Sequence, residues 1–223
     1  MIRDFRANYV SGVEHWRKFD AKTDNPSYPI YIISRAVDEM LLLADFDRES
    51  VRVLRLEDLG DTSVLRAFCH WSGVSFDPCM TQSTWAGLRW WGDRLSESGP
   101  KPDETGFSSS MINNRWEKRL GYLDKTVLNY LLADSLDYYG YSAGTCSNGI
   151  FCSVVVFFLI LIPTGHERRY LRPLYLVNLL YKGRVREFLG NFYHPIRRIA
   201  LFYKWFFQRH AGNRYFLPHI GDI

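Results

Sequence analysis

The stretch Val51-Arg52-Val53-Leu54-Arg55-Leu56-Glu57-Asp58-Leu59, running on into Asp61-Thr62-Ser63-Val64-Leu65, decides the fold class. Val51, Val53, Leu54 and Leu56 make a β-branched and apolar run, which predicts a short, mostly buried strand with polar residues at its exit. Asp61 can then cap a helix whose apolar stripe is Val64, Leu65, Phe68 and Cys69, and Gly73 supplies the left-handed stop. Strand followed by helix implies α/β layering, and in such sheets ligands gather at the carboxyl ends of the strands.

Toward the N-terminus, Phe5 to about Arg17 permits a helix. Pro26 and Pro29 interrupt the chain before Ile32, Ile33, Ala36, Val37, Met40 and Leu41 recur at helical spacing. Met1-Ile2 opens abruptly onto the charged Arg3-Asp4, as if a buried strand had been cut short, so a truncated reading frame is expected. Toward the C-terminus, residues 74–111 are rich in Ser, Gly, Pro and Trp and read as an ordered functional loop. A helix capped by Asp124 follows, with Val127, Leu128, Leu131 and Leu132 inward, and ends at Gly140 before Tyr141.

Beyond Tyr141 the character changes. Ile150 to Ile162 is an almost unbroken apolar run, closed by Pro163 and His166-Glu167-Arg168-Arg169. It is shorter than the roughly 17 to 25 residues of a membrane span. Peripheral or re-entrant insertion and a buried helix or strand both remain open. After it, Ile196, Ile199, Ala200, Tyr203 and Phe207 lie near one helical face, with Arg197, Arg198, Lys204 and Arg209 elsewhere around the helix, a basic amphipathic pattern. The expected organisation is a first domain over 1–143 and a hydrophobic, basic helical extension over 144–223.

The 223 residues are 47% apolar and 16% aromatic, enough to bury a core. The net charge of +4 hides an asymmetry: residues 1–149 carry 17 basic and 21 acidic side chains, residues 150–223 carry 11 and 3. A basic tail suits an anionic partner, and a membrane surface is expected here rather than nucleic acid. Cys69, Cys79, Cys146 and Cys152 form no C-x-x-C pair, and no signal peptide opens the chain, so a reducing, cytoplasmic location is expected, peripheral or integral at a membrane. No two histidines stand at i, i+4, and no metal site is expected.

Arg3 and Ser11 are the first candidates for chemistry. A guanidinium at a strand's end and a hydroxyl about two turns into the next helix can both reach one phosphate, helped by the helix dipole. The plainer alternative pairs Arg3 with Asp4 at the surface and leaves Ser11 facing a turn.

Arg3-Asp4-Phe5 through Ser11 resembles the R-[DN]-P-x-x-x-x-x-S stretch of the PAPS-dependent sulfotransferases, with Phe5 in place of proline. Arg55-Leu56-Glu57-Asp58-Leu59 resembles the family's [RY]-Y-E-D-L strand end, with Leu56 in place of the tyrosine that usually lies near adenine. Gly73 to Pro78 and Ser83-Thr84-Trp85-Ala86-Gly87, continuing to Trp90-Trp91-Gly92-Asp93, are similar to the loop that follows. Asn113 to Leu120, with Tyr139-Gly140-Tyr141, resembles the G-R-W-x-x-x-L and closing G-Y of many bacterial members, without the R-K-G of cytosolic ones. The resemblance spans Met1 to Tyr141, four motifs in the family's order.

That resemblance implies part of a P-loop-kinase-like parallel sheet with flanking helices, preceding the helical C-terminal extension. It implies binding of 3'-phosphoadenosine 5'-phosphosulfate and transfer of its sulfuryl group to a hydroxyl or amine of an unknown acceptor, whether small molecule, lipid or glycan. Arg3 and Ser11 would hold the 3'-phosphate. Ser83 and Thr84 would line the purine beside Trp85, Trp90 and Trp91, whose alternative role is loop anchoring. Arg115 is the nearest cation to the missing R-K-G, with a helix-start salt bridge as its alternative. The family's P-K-[ST]-G-[ST] loop is absent from the sequence, Gly144 to Gly149 being a poor substitute, and no catalytic base is assigned. The chain alone is therefore expected to have little turnover, and a non-catalytic membrane-associated protein is the alternative reading.

Overall fold

Seven helices carry the architecture, seen in a computed structural model that describes residues 2–19, 50–82, 84–85, 88–89, 116–142, 144, 149–212, 216 and 218–222. The helix expected over 32–41 lies outside these residues, as do Ser83, Trp90, Trp91 and residues 113–115. The chain divides into two compact units. The first comprises Met1–Arg3, Asp45–Asn114 and Leu217–Ile223, the second Asp4–Ala44 and Arg115–Phe216.

The first unit is built on one well-punctuated helix, α2 (Thr62–Ser72). The Asp61 carboxylate accepts from the Ser63 N–H at 2.8 Å, and Gly73 at φ 71° ends the helix by donating to the Cys69 and His70 carbonyls. Leu65 and Cys69 are its buried stripe, joined by Val53 and Ile220. Before it, Leu56–Gly60 coils into a 3-10 turn. After it, Pro78–Thr81 forms another, whose Met80 sulfur sits 3.5 Å from the Cys69 thiol.

The expected parallel sheet is not formed among the described residues, which are mostly helical. Among the described residues, extended pairing amounts to two isolated parallel bridges, Ile2 with Arg55 and Val53 with His219, and a minimal antiparallel pair, β1 (Thr84–Trp85) with β2 (Leu88–Arg89). The run from Val51 stops short of a strand because the backbone turns at Leu56. The Asp58 N–H folds back to the Arg55 carbonyl at 3.1 Å, and the Arg55 guanidinium forks onto the Asp58 carboxylate at 2.6 and 2.5 Å.

The second unit is helical: α1 (Phe5–Phe19), α3 (Trp116–Arg119), α4 (Tyr122–Tyr138), α5 (Ile150–Leu159), α6 (Pro173–Tyr181) and α7 (Val185–His210). Residues on both sides of position 143 share it. Helix α4 is its spine, with Val127, Leu128, Leu131, Leu132 and Leu136 all buried. Gly121, not Asp124, is its N-cap, and no side chain caps it. The Asp124 carboxylate instead accepts from the Gly165 N–H at 2.9 Å, a partner 41 residues away.

The apolar run from Ile150 is helix α5, and it ends where Arg198 of α7 reaches it. The Arg198 guanidinium donates to the Ile160 carbonyl at 2.5 Å and the Ile162 carbonyl at 3.2 Å. It thereby satisfies groups that a helix end leaves without partners and places a cation at the negative end of the dipole. Its Nε also meets Glu167 Oε1 at 2.9 Å, with both side chains 1% exposed. Glu167 and Thr164 in turn bond each other's backbone N–H groups at 2.9 and 3.3 Å, a capping box at the start of the 3-10 turn Glu167–Arg169.

Candidate functional site

In the first unit, the Ile2 N–H donates to the Leu54 carbonyl at 2.8 Å and the Leu56 N–H to the Ile2 carbonyl at 2.7 Å. This pairing sets half-buried Arg3 next to the Arg55–Leu59 segment, although 52 residues separate Arg3 from Arg55. The Asp58 carboxylate faces inward, 8% exposed. Besides Arg55 it meets His219 Nε2 at 2.8 Å, because the Val53 N–H and carbonyl pair with Pro218 and Ile220 at 2.9 Å each. Asp58 is thus an internal countercharge and not a polar residue at a solvated strand exit. His219 lies 161 residues from it, and no pattern in the sequence links the two.

Ser11 lies in the other unit, on the exposed face of α1. Thr84 pairs with Arg89 across the short hairpin. Ser83 and Arg115 fall outside the described residues.

Within the second unit, Asp4 is engaged by Arg6. The Arg6 guanidinium donates to the Asp4 carboxylate at 3.0 and 2.7 Å, to Asn129 Oδ1 at 3.0 Å and to the Ser142 carbonyl at 2.6 Å. It also lies over the Trp116 ring at 4.0 Å. A buried guanidinium with this many acceptors and an aromatic face beneath it is structurally saturated. It ties the start of α1 to α3, to α4 and to the segment just past Tyr141. Sequence reasoning passed over Arg6.

A cavity of about 10 Å³ lies between α1, α4, the end of α5 and α7, lined by Tyr9, Asp124, Leu128, Thr164, Arg198 and Phe202 among others. That volume accepts about one water molecule. A nucleotide needs a cleft of roughly 300 Å³ or more, so this cavity does not fit one. Burial raises the Tyr9 phenol well above its ordinary range, and the Asp124 charge adds to the effect, so the phenol stays protonated. Burial also raises the Asp124 carboxyl, against the pull of the Gly165 N–H and of Arg168 and Arg198.

The Ser153 hydroxyl lies 2.9 Å from His210 Nε2 and accepts from the Tyr130 hydroxyl at 2.8 Å. The spacing suits a nucleophile and base, but among the described residues no carboxylate bonds His210 to orient it. The trio acts as a latch between α4, α5 and α7. No group of three or more His, Cys, Asp or Glu among the described residues is placed to hold a metal ion.

Comparisons of the chain with protein-family models, with curated proteins and with solved structures found no match.

Proposed function

We propose that this chain is a sulfotransferase-family protein whose Arg3 binds the 3'-phosphate of 3'-phosphoadenosine 5'-phosphosulfate, the donor in sulfuryl transfer to a hydroxyl or amine. The observation that carries the reading is the parallel bridge between Ile2 and Arg55. It joins the ends of two segments that resemble the family's motifs, as a shared nucleotide site requires. Arg6 gives parallel support in the second unit, drawing together the first motif, Trp116 and the residue after Tyr141. The planar fork of an arginine matches phosphate oxygens, and a dianionic 3'-phosphate is what separates this donor from other adenine nucleotides.

The sulfuryl group makes a different demand. Its transfer needs donors aimed at developing charge and a base for the acceptor. These 223 residues contain no glycine-rich loop with a lysine to supply the donors. The chain by itself binds nucleotide and does not turn over.

Calorimetry with 3'-phosphoadenosine 5'-phosphate and with adenosine 5'-phosphate tests the proposal. The two ligands differ only in the group assigned to Arg3. A charge-assisted hydrogen-bonded contact is worth about 1.5–3 kcal/mol, so the 3'-phosphate should tighten binding by about ten- to a hundredfold. Arg3→Ala should erase that preference and leave the weak adenosine 5'-phosphate affinity unchanged. No preference in the unaltered chain, or a preference that survives Arg3→Ala, overturns it.

A further inference from the structure

Helix α7 buries Asn191, Pro195, Arg198, Phe202, Trp205 and Phe206 in the second unit. Its opposite side is not the polar face that solvent normally selects. Val185, Leu189, Phe192, Tyr193, Ile196 and Phe207 are all exposed, from 42% for Phe192 to 64% for Ile196. At 3.6 residues per turn these six fall within an arc of about 100°. Arg186, Lys204 and Arg197, also exposed, follow along one edge of that arc, about 20 to 40° beyond Tyr193.

Helix α5 repeats the arrangement without charges. Ile150, Phe151, Val154 and Phe158 are exposed by 51 to 87%, and they cluster within an arc of about 100°. Exposed large apolar side chains scattered singly need no explanation, but continuous stripes on two helices do. No helix among the described residues is long and apolar enough to cross a membrane.

We propose that the α7 stripe, with α5 beside it in the same unit, docks this protein onto an anionic lipid bilayer surface, α7 lying in the interface plane. Charge complementarity selects that occupant. Residues 150–223 carry 11 basic and 3 acidic side chains. Basic groups beside an apolar stripe meet anionic headgroups while the stripe enters the acyl boundary. A second copy of the chain would bring the same basic edge near itself across a two-fold axis, which repels. Nucleic acid would meet the charges but offers phosphates, not hydrocarbon, to the stripe.

Flotation of the full chain tests this with vesicles of phosphatidylcholine alone and with about one-third phosphatidylserine. The chain should float with the phosphatidylserine vesicles at low salt and much less with phosphatidylcholine alone. Leu189→Glu with Ile196→Glu should abolish flotation while the helical circular dichroism is retained. Should that pair disturb folding, Arg197→Gln with Lys204→Gln decides. It should lower partitioning onto phosphatidylserine vesicles by about tenfold or more, at about 1 kcal/mol per charge, and leave phosphatidylcholine unaffected. Absence of flotation overturns the proposal, as does flotation indifferent to both pairs. A dimer in light scattering that Leu189→Glu with Ile196→Glu dissolves would assign the stripe to a second copy, and a duplex DNA shift lost with Arg197→Gln and Lys204→Gln would assign it to nucleic acid.

Discussion

Replacing Arg198 with methionine keeps most of the side chain's apolar length and removes the cation. Glu167, 1% exposed, then faces no countercharge, and the buried Ile160 carbonyl loses a donor at 2.5 Å. The Ile162 carbonyl is on a residue 40% exposed, so water can replace its weaker 3.2 Å bond. Breaking a buried ion pair from one side costs about 3–5 kcal/mol, because the stranded charge cannot rehydrate. The Thr164 N–H still holds the other Glu167 oxygen, which places the expected loss near the middle of that range, about 4 kcal/mol. With a urea dependence of about 2 kcal/mol per molar, the midpoint should fall by about 2 M. Urea titration followed by far-ultraviolet circular dichroism reads this directly, since the signal comes mainly from the helices of the second unit.

Adding Glu167→Gln to Arg198→Met removes the stranded charge and should recover about 2 kcal/mol, so the double variant is more stable than the single one. A midpoint shift under about 0.5 M for Arg198→Met, or a double variant no better than the single, would refute the assignment of this pair as the clasp between α5 and α7.

Two further predictions concern backbone and pH. Gly73→Ala should destabilise the first unit by about 1 kcal/mol, since its φ of 71° penalises a Cβ even though nothing lies within 4 Å of one. Gly190→Ala, inside α7 with only ordinary contact to His194 at 3.8 Å, should stabilise by about 0.5–1 kcal/mol, and thermal melts of the two variants should move in opposite directions. The raised Asp124 carboxyl makes the folded state bind a proton that the unfolded state has already released, so stability falls as pH rises from about 4 through the folded value and then levels. Asp124→Asn should remove that decline, so its urea midpoint should gain on the parent's across the window. Parallel pH profiles would show that Asp124 ionises without strain.

What the sequence made legible follows from how far each determinant reaches. Helix α2 could be read at both ends because Asp61 and Gly73 act on groups within a few residues, through a side-chain cap and a left-handed backbone. The buried stripe of α4 could be read because 3.6-residue periodicity is local too. The strand over 51–56 failed for the same reason in reverse. A short apolar run is compatible with several backbones, and the Arg55–Asp58 fork, itself spanning only four residues, turned the chain before a ladder could form.

The candidate site depends on longer reach. Asp58 was visible as a charge near a strand end, but its partner His219 arrives from the other end of the chain. The sequence pattern sets Arg198 with Arg197, Lys204 and Arg209 around an amphipathic helix, yet the Arg198 side chain is 1% exposed and that of Arg209 only 9%. The wheel alone marks Arg198 as anomalous, because it lies on the same side as Phe202 and Trp205. The capping pattern Thr164-Gly165-His166-Glu167 was the second local signal available. A cation on a buried stripe, together with a capping carboxylate just after an apolar helix, is enough to predict an arginine that closes that helix's carbonyl end. The same wheel, with Arg198 and Arg209 moved to the interior, leaves Arg186, Arg197 and Lys204 gathered along one edge of an exposed apolar stripe. Placing Arg198 and Arg209 inside therefore turns a helix with charges all around it into one with a single basic margin, and it is the margin that gives the stripe an expected partner.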